Sequence, residues 1–206
     1  MDYDVSSKQK RRGILAGMLL GVSRRDGNNF LIRHSDARQE YLLYKKALLE
    51  QITGKAVSMS EWTTPKGHRG WQIQPKQIPL IRVLVRQLYA GRDRVITRSF
   101  LNRLTPPGIA IWFLDCGSKS FKRRNQQICA LDIYLNTRRS RADNEIIVAY
   151  FAEVWGIYWG LSRQGDCYCL RLGTTAGKAF LGFLQPYVPP CMLAKIQSSC
   201  NIKAAT

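Results

Sequence analysis

The sequence predicts a mixed α/β (α+β) protein of two pseudo-symmetric repeats. Each runs helix, two strands, helix, two strands, helix (αββαββα), and the sheets are antiparallel. Three observations carry this. Residues 14–23 and 108–117 are two copies of one pattern 94 positions apart, an apolar helix that opens on small residues and closes at a tight turn. Residues 128–136 alternate, with Cys129, Leu131, Ile133 and Leu135 on one face and Ala130, Asp132, Tyr134 and Asn136 on the other, as in a strand half-buried by a core. Turn signals at Asp26-Gly27, Pro65-Lys66-Gly67 and Gln164-Gly165 join neighbouring strands as hairpins. At 206 residues, two repeats sharing one core fit the length better than two independent domains.

Each element carries its own signal. Gly13, Gly17 and Gly21 recur at every fourth position, so all three lie on one face of the first helix. A bare helical glycine costs about 1 kcal/mol relative to Ala, and a close helix–helix contact is what offsets that cost. Residues 28–34 read as a strand, and Asp36 as the cap of a long amphipathic helix to about residue 52, with Tyr41, Tyr44, Leu48 and Ile52 on its buried face. Residues 57–64 and 69–74 form a hairpin, and residues 78–89 a helix whose first turn accepts Pro79. Residues 91–103 read as a polar bridge between the halves. Beyond the strand at 128–136, Ser140 with Asp143 starts a helix to about Trp155. Residues 158–163 and 167–172 pair as a hairpin, and a last helix over 174–187 is stopped by Pro189-Pro190. The resulting division is a basic N-terminal extension (1–11), a first repeat (12–98), a second repeat (99–196) and a C-terminal tail (197–206), in one structural domain.

Charge narrows the partners. There are 32 Lys and Arg against 14 Asp and Glu, a net +18. Residues 1–105 hold 20 basic and 8 acidic groups and residues 106–206 hold 12 and 6, so both halves are basic. Such an excess points to a polyanion, namely nucleic acid. No run of 18 apolar residues spans a membrane. The N-terminus, with Asp2 and Asp4 ahead of Lys8, Lys10, Arg11 and Arg12, resembles neither a secretory signal nor a transit peptide. The six cysteines (116, 129, 167, 169, 191, 200) fit no zinc spacing and read as free thiols in an intracellular, reducing compartment, a bacterial cytoplasm or an organelle matrix.

The two apolar helices resemble the paired signature helices of the LAGLIDADG homing endonucleases, in the single-chain, two-motif type. The first is Leu15-Ala16-Gly17-Met18-Leu19-Leu20-Gly21-Val22-Ser23. The second is Ile109-Ala110-Ile111-Trp112-Phe113-Leu114-Asp115-Cys116-Gly117, led in by Thr105-Pro106-Pro107-Gly108 and continued by Ser118-Lys119. His34-Ser35 with Gln39, Tyr41, Leu42 and Lys45 resembles the stretch after the family's first motif, and Leu135-Asn136-Thr137 with Ser140 and Glu145 the stretch after its second. Residues 186–192 with Lys195 are similar to the family's closing segment. The resemblance implies antiparallel sheets forming a saddle around two central motif helices. Gly13, Gly17, Gly21, Ala110 and Leu114 would then lie at the interface of the helix pair.

In the family, the eighth motif position of each copy is an acid that holds the catalytic metals. Here those positions are Val22 and Cys116. Magnesium requires oxygen ligands. A hydrocarbon offers none, and a thiol is a poor match. The resemblance therefore implies a scaffold without catalytic residues and without a cofactor. The alternative is an active LAGLIDADG endonuclease that cuts double-stranded DNA with magnesium, using Asp115 one step earlier on the second helix.

The expected partner is nucleic acid, either duplex DNA or structured RNA in a maturase-like or ribonucleoprotein role such as a ribosome subunit, with no dimer required to complete the saddle. A two-stranded ribbon fits the major groove, where Gln and Arg read adenine and guanine edges. Gln72 and Gln74 should point outward while Trp71 and Ile73 face the core. Cys167, Cys169 and Arg171 should point outward while Tyr168, Leu170 and Leu172 face the core. Phosphate contacts are expected from Arg24, Arg25, Lys66, Arg69, Lys119, Lys122, Arg123, Arg124, Arg138 and Arg139, and Arg33 and Arg163 are further nucleic-acid-binding candidates. Trp62, Tyr134 and Trp159 are candidates for base stacking.

Overall fold

Residues 3–125 and 127–197 are described by a computed structural model. Asp2, Cys200 and the tail from 198 onward lie outside the described residues. The first helix, α1 (Lys8–Leu20), starts in the N-terminal extension because Ser7 caps it, its hydroxyl accepting from the Lys10 N–H at 3.2 Å. Strands β1 (Ser23–Asp26) and β2 (Asn29–Ser35) turn about Gly27, whose φ of 59° suits glycine. After them come α2 (Gln39–Thr53), the hairpin β3 (Ser58–Thr63) and β4 (Arg69–Gln74), and α3 (Pro79–Leu88). The link carries β5 (Tyr89–Ala90), β6 (Asp93–Arg94) and α4 (Arg98–Leu101). The second repeat is α5 (Pro106–Cys116), β7 (Gly117–Arg124), β8 (Gln127–Arg139), α6 (Arg141–Trp155), β9 (Gly160–Gln164), β10 (Cys167–Leu172) and α7 (Thr174–Leu184), then the short α8 (Leu193–Ile196).

The two main sheets repeat one topology. The first has strand order β1-β2-β4-β3 and the second β7-β8-β10-β9, all antiparallel. Strand alternation sends Phe30, Ile32 and Ile73 of the first sheet, and Leu131, Ile133, Leu135 and Leu170 of the second, into one core with the helices. No helix among the described residues is long and apolar enough to cross a membrane.

The helix pair is held at glycines. A methyl group on Gly17 would come within 2.7 Å of the Gly108 Cα, one on Gly13 within 2.7 Å of Thr105 Cβ, and one on Gly21 within 2.8 Å of Asp115 Cγ. Gly108 faces back in the same way, within 2.9 Å of the Gly13 carbonyl carbon. The two backbones therefore meet directly, as only residues without side chains permit. Ala110 and Leu114 are fully buried, but the groups nearest the three α1 glycines belong to Thr105, the N-cap residue of α5, and to Gly108 and Asp115. The helical period explains this, since positions 105, 108 and 115 share a face that 110 and 114 leave by roughly 100° or more.

Several local expectations are corrected. Asp36 does not cap α2; it opens a 3-10 turn (Asp36–Arg38) ahead of the helix. Residues 91–103 are more than a polar bridge, because Ile96, Phe100 and Leu101 enter the core from a hairpin and a short helix that Thr97 caps. The last helix ends at Leu184, and a 3-10 turn containing Pro186 continues it. Cys169 is buried rather than outward, because the pairing of β10 with β8 shifts between Tyr168 and Leu170 and takes that residue out of simple alternation. Trp159 packs inside against Phe151 and Phe180, so it offers no exposed stacking face. Cys116, Cys129, Cys167, Cys169 and Cys191 are free thiols.

Candidate functional site

The foot of the helix pair brings four polar groups together. Asp115 lies in the last turn of α5, and its side chain crosses to the first repeat. One carboxylate oxygen accepts from the Lys45 ammonium at 2.5 Å and the other from the Val22 backbone N–H at 3.2 Å. Lys45 comes from the middle of α2 and is fully buried. It also donates to His34 Nε2 at 3.1 Å and lies 4.4 Å from the centre of the Tyr41 ring. Accepting at Nε2 places the ring proton of His34 on Nδ1. An unpaired ammonium at this depth would cost several kcal/mol, and the carboxylate, imidazole and ring face offset it together.

Burial and the facing charges set the protonation of this cluster. Burial, reinforced by the Lys45 charge, drives the His34 imidazole down to about 3, so the ring is neutral at physiological pH. Burial also pulls the Lys45 amine below its ordinary value, while Asp115 opposes that drop. Burial first and then Asp115 push the Cys116 thiol up to about 11, which keeps it protonated. Nearby, Lys195 donates to the Leu114 carbonyl at 2.5 Å, and burial lowers its amine to about 8.

The His34 shift has a measurable consequence. Its folded value lies below the unfolded value of 6.5, so the unfolded chain takes up a proton that the folded chain refuses as pH falls from 6.5 towards 3. The stabilising contribution is complete above 6.5 and shrinks below it. Between pH 7 and 5 the loss is expected to be about 2 kcal/mol from this group. Urea denaturation across that range should show the slope in the native protein and a flatter profile in His34→Gln. Equal profiles would refute the buried, neutral assignment.

The cluster does not fit a divalent metal. Val22 presents no ligand atom, Cys116 presents a protonated thiol, and both oxygens of Asp115 are engaged by an ammonium and a backbone N–H. A hard ion would need free oxygen donors here. Among the described residues, no group of three or more His, Cys, Asp and Glu side chains converges on a point that could hold an ion.

The outer faces of the sheets carry the remaining candidates. On the first sheet, Arg33, Gln72 and Ser60 form a cross-strand row. Arg33 Nε donates to Gln72 Oε1 at 2.8 Å, Gln72 Nε2 donates to Ser60 Oγ at 3.0 Å, and the Arg33 guanidinium lies over Trp62. Gln74 lies on the same face and donates to Asp26. On the second sheet, Asp132 sits between Arg171 at 2.8 Å and Lys122 at 3.3 Å, which balances one carboxylate against two cations. Lys119 donates to the Ala194 and Gln197 carbonyls. Lys66 and Arg69 lie exposed at one hairpin, Arg123 and Arg124 at another, and Arg163 at a third, while Arg138 is exposed with a φ of 52°. Arg24, Arg25 and Arg139 share a cavity beside the foot of α1.

Lys45, His34, Arg94 and Asp132 hold these clusters together, although none of them is marked as a site residue by the sequence. Lys45 carried a legible signal, because a cation at the fourth position after Tyr41 interrupts the buried stripe of α2. Its partner, 70 residues away on another helix, was not legible.

The sequence model of the LAGLIDADG DNA endonuclease family matches residues 12–180. Among solved structures, the homing endonuclease I-WcaI bound to its DNA recognition sequence superposes with a TM-score of 0.75 at 14% identity, over 92% of this chain and 87% of that one. The meganuclease I-AabMI bound to uncleaved DNA gives 0.51 at 13% identity, over 85% and 83%. At such identities the likeness is one of fold. Protein RecA of Mycobacterium shimoidei is 31% identical over 204 residues and that of Mycolicibacterium chitae 27% over 204 residues. Each alignment takes in 89% of this chain and 45% of the relative, so the chain spans less than half the length of these curated relatives.

Proposed function

Because this chain belongs to the LAGLIDADG DNA endonuclease family, we propose that it binds duplex DNA on the outer faces of its two sheets without cutting it. The observation that carries the reading is the state of Asp115. Its carboxylate stands at the foot of the helix pair, and its oxygens are spent on Lys45 and the Val22 N–H. A metal there would have to displace a buried ammonium and would still lack a ligand from the first repeat. The protein accordingly works without a metal cofactor.

Duplex DNA is preferred over structured RNA because of the Arg33–Gln72–Ser60 row. Side chains already fixed to one another across strands present base-reading groups at low entropic cost, and B-form DNA admits a ribbon into its major groove. The narrow major groove of A-form RNA does not. The structures of I-WcaI and I-AabMI were both solved on DNA, which agrees with this choice.

The test is a titration of the protein against duplex and structured RNA of random sequence, followed by incubation of a plasmid library with magnesium or manganese. Duplex binding should weaken by about 10³–10⁵ between 50 and 200 mM salt if some 6–10 phosphates are neutralised. Plasmid should remain intact. Metal-dependent nicking that disappears in Asp115→Asn would overturn the non-cutting reading. Binding that is flat with salt would overturn the basic surface as the DNA face, and tighter binding to RNA would reassign the partner.

A further inference from the structure

Beside the foot of α1 lies a cavity of about 600 Å³, within the roughly 300–1,000 Å³ of small-ligand sites. Its wall comes from three places: Ser23, Arg24 and Arg25 of β1, the link around β5 and β6 with Tyr89, Arg92 and Arg94, and Arg139 at the end of β8. It therefore exists only where the first repeat, the link and the second repeat meet. Five guanidiniums face one carboxylate, that of Asp93. None of the five forms an ion pair among the described residues.

Three of these arginines are held in place. Arg94 donates to the Leu20 carbonyl at 3.1 Å, to the Gly21 carbonyl at 3.0 Å and to the Ser23 carbonyl, and its Nε donates to the Tyr89 hydroxyl at 3.0 Å. It thus satisfies the last carbonyls of α1, where a cation also suits the helix dipole. Arg25 donates to the Gly27 carbonyl at 2.7 Å and to that of Gly91, and lies 5.9 Å from the Tyr89 ring centre. Arg139 donates to the Arg94 carbonyl at 3.0 Å, and burial together with the Arg94 charge lowers its affinity for its own proton. Arg24 and Arg92 are exposed at the rim, with no side-chain hydrogen bond among the described residues. Like charges are crowded against a rigid wall, N–H groups on Arg25 and Arg139 are left over, and two guanidiniums are free to close.

We infer that this cavity is a phosphate seat, which holds a backbone phosphate of the bound duplex between the two repeats. Bidentate guanidinium–phosphate pairing is the chemistry that recognises the ligand. The source of the phosphate rests on the DNA-binding reading; the chemistry of the seat does not. Arg24 and Arg92 supply the closing contacts, and Arg94 positions the wall.

The test compares the native protein with Arg24→Ala/Arg92→Ala and with a control, Lys55→Ala/Lys76→Ala, which removes two exposed cations elsewhere. Tripolyphosphate should raise the melting temperature of the native protein and the control and leave the arginine variant unmoved. On duplex DNA, the arginine variant should lose about 0.9 from the magnitude of the salt slope, the value of one phosphate contact, and the control should keep the native slope. If tripolyphosphate shifts all three proteins alike, or none, the seat is refuted. If the tripolyphosphate response depends on the arginines but the DNA slope does not change, the seat stands and its occupant is a free polyphosphate. If the native protein binds no duplex, the functional reading fails while the tripolyphosphate arm still decides the seat.

Discussion

Lys45→Met is expected to lower folding stability by about 3–5 kcal/mol, the usual cost of removing one partner from a buried ion pair. The reason is the environment of the groups left behind. Asp115 would keep its carboxylate in the core with the Val22 N–H as its remaining donor, and His34 would lose the cation that donates to its Nε2. The measurement is urea unfolding, read as a shift of midpoint at unchanged slope. The double variant Lys45→Met/Asp115→Leu removes both charges and should recover most of the loss, since replacing a whole buried pair by apolar groups is often close to neutral. A loss under about 1 kcal/mol in the single variant, the value of an exposed pair, would show that water reaches the cluster.

Gly17→Ala should be the most damaging small change in the helix pair. In most helices this substitution stabilises by about 1 kcal/mol. Here the new methyl group would meet the backbone of Gly108, 2.7 Å from its Cα, and no rotamer can relieve a clash with backbone. The helices must separate, and overpacking of this kind costs about 1–3 kcal/mol or more. Gly182→Ala on α7 is the contrasting case. It has nothing within 4 Å of an added methyl group, so the same substitution should stabilise by up to about 1 kcal/mol. Thermal unfolding of the two variants should therefore move in opposite directions. Similar shifts would show that the glycines of α1 are a matter of helix propensity and not of contact.

Much of this architecture was legible in the chain. Bare glycines repeated on one helix face announce a close neighbour, and the alternation marks Leu131, Ile133 and Leu135 as core, although Cys129 of the same stripe is exposed because the pairing of β7 with β8 shifts beside it. Both are local signals of period four or two. The features that escaped reading depend on pairing between distant segments. The bulge that buries Cys169 is set by the register between β8 and β10, and nothing in Cys167-Tyr168-Cys169 marks it. Phe100 and Leu101 sit in a stretch whose composition is polar, yet two large side chains on one turn suffice to anchor the link in the core. At the site, that positions 22 and 116 carry Val and Cys and not a carboxylate was visible at once. That Asp115 is bound to a lysine of the other repeat was not, because complementary charges 70 residues apart carry no spacing signal.

The Lys45–Asp115 pair also bears on how the two halves could exist apart. One half owns the ammonium and the other the carboxylate, so a chain divided in the link would leave each fragment with an uncompensated charge in what should be its driest part. Neither fragment could bury its share of the core alone without first neutralising that group. The two repeats are thus mutually dependent, and they are expected to unfold as one cooperative unit rather than as exchangeable modules.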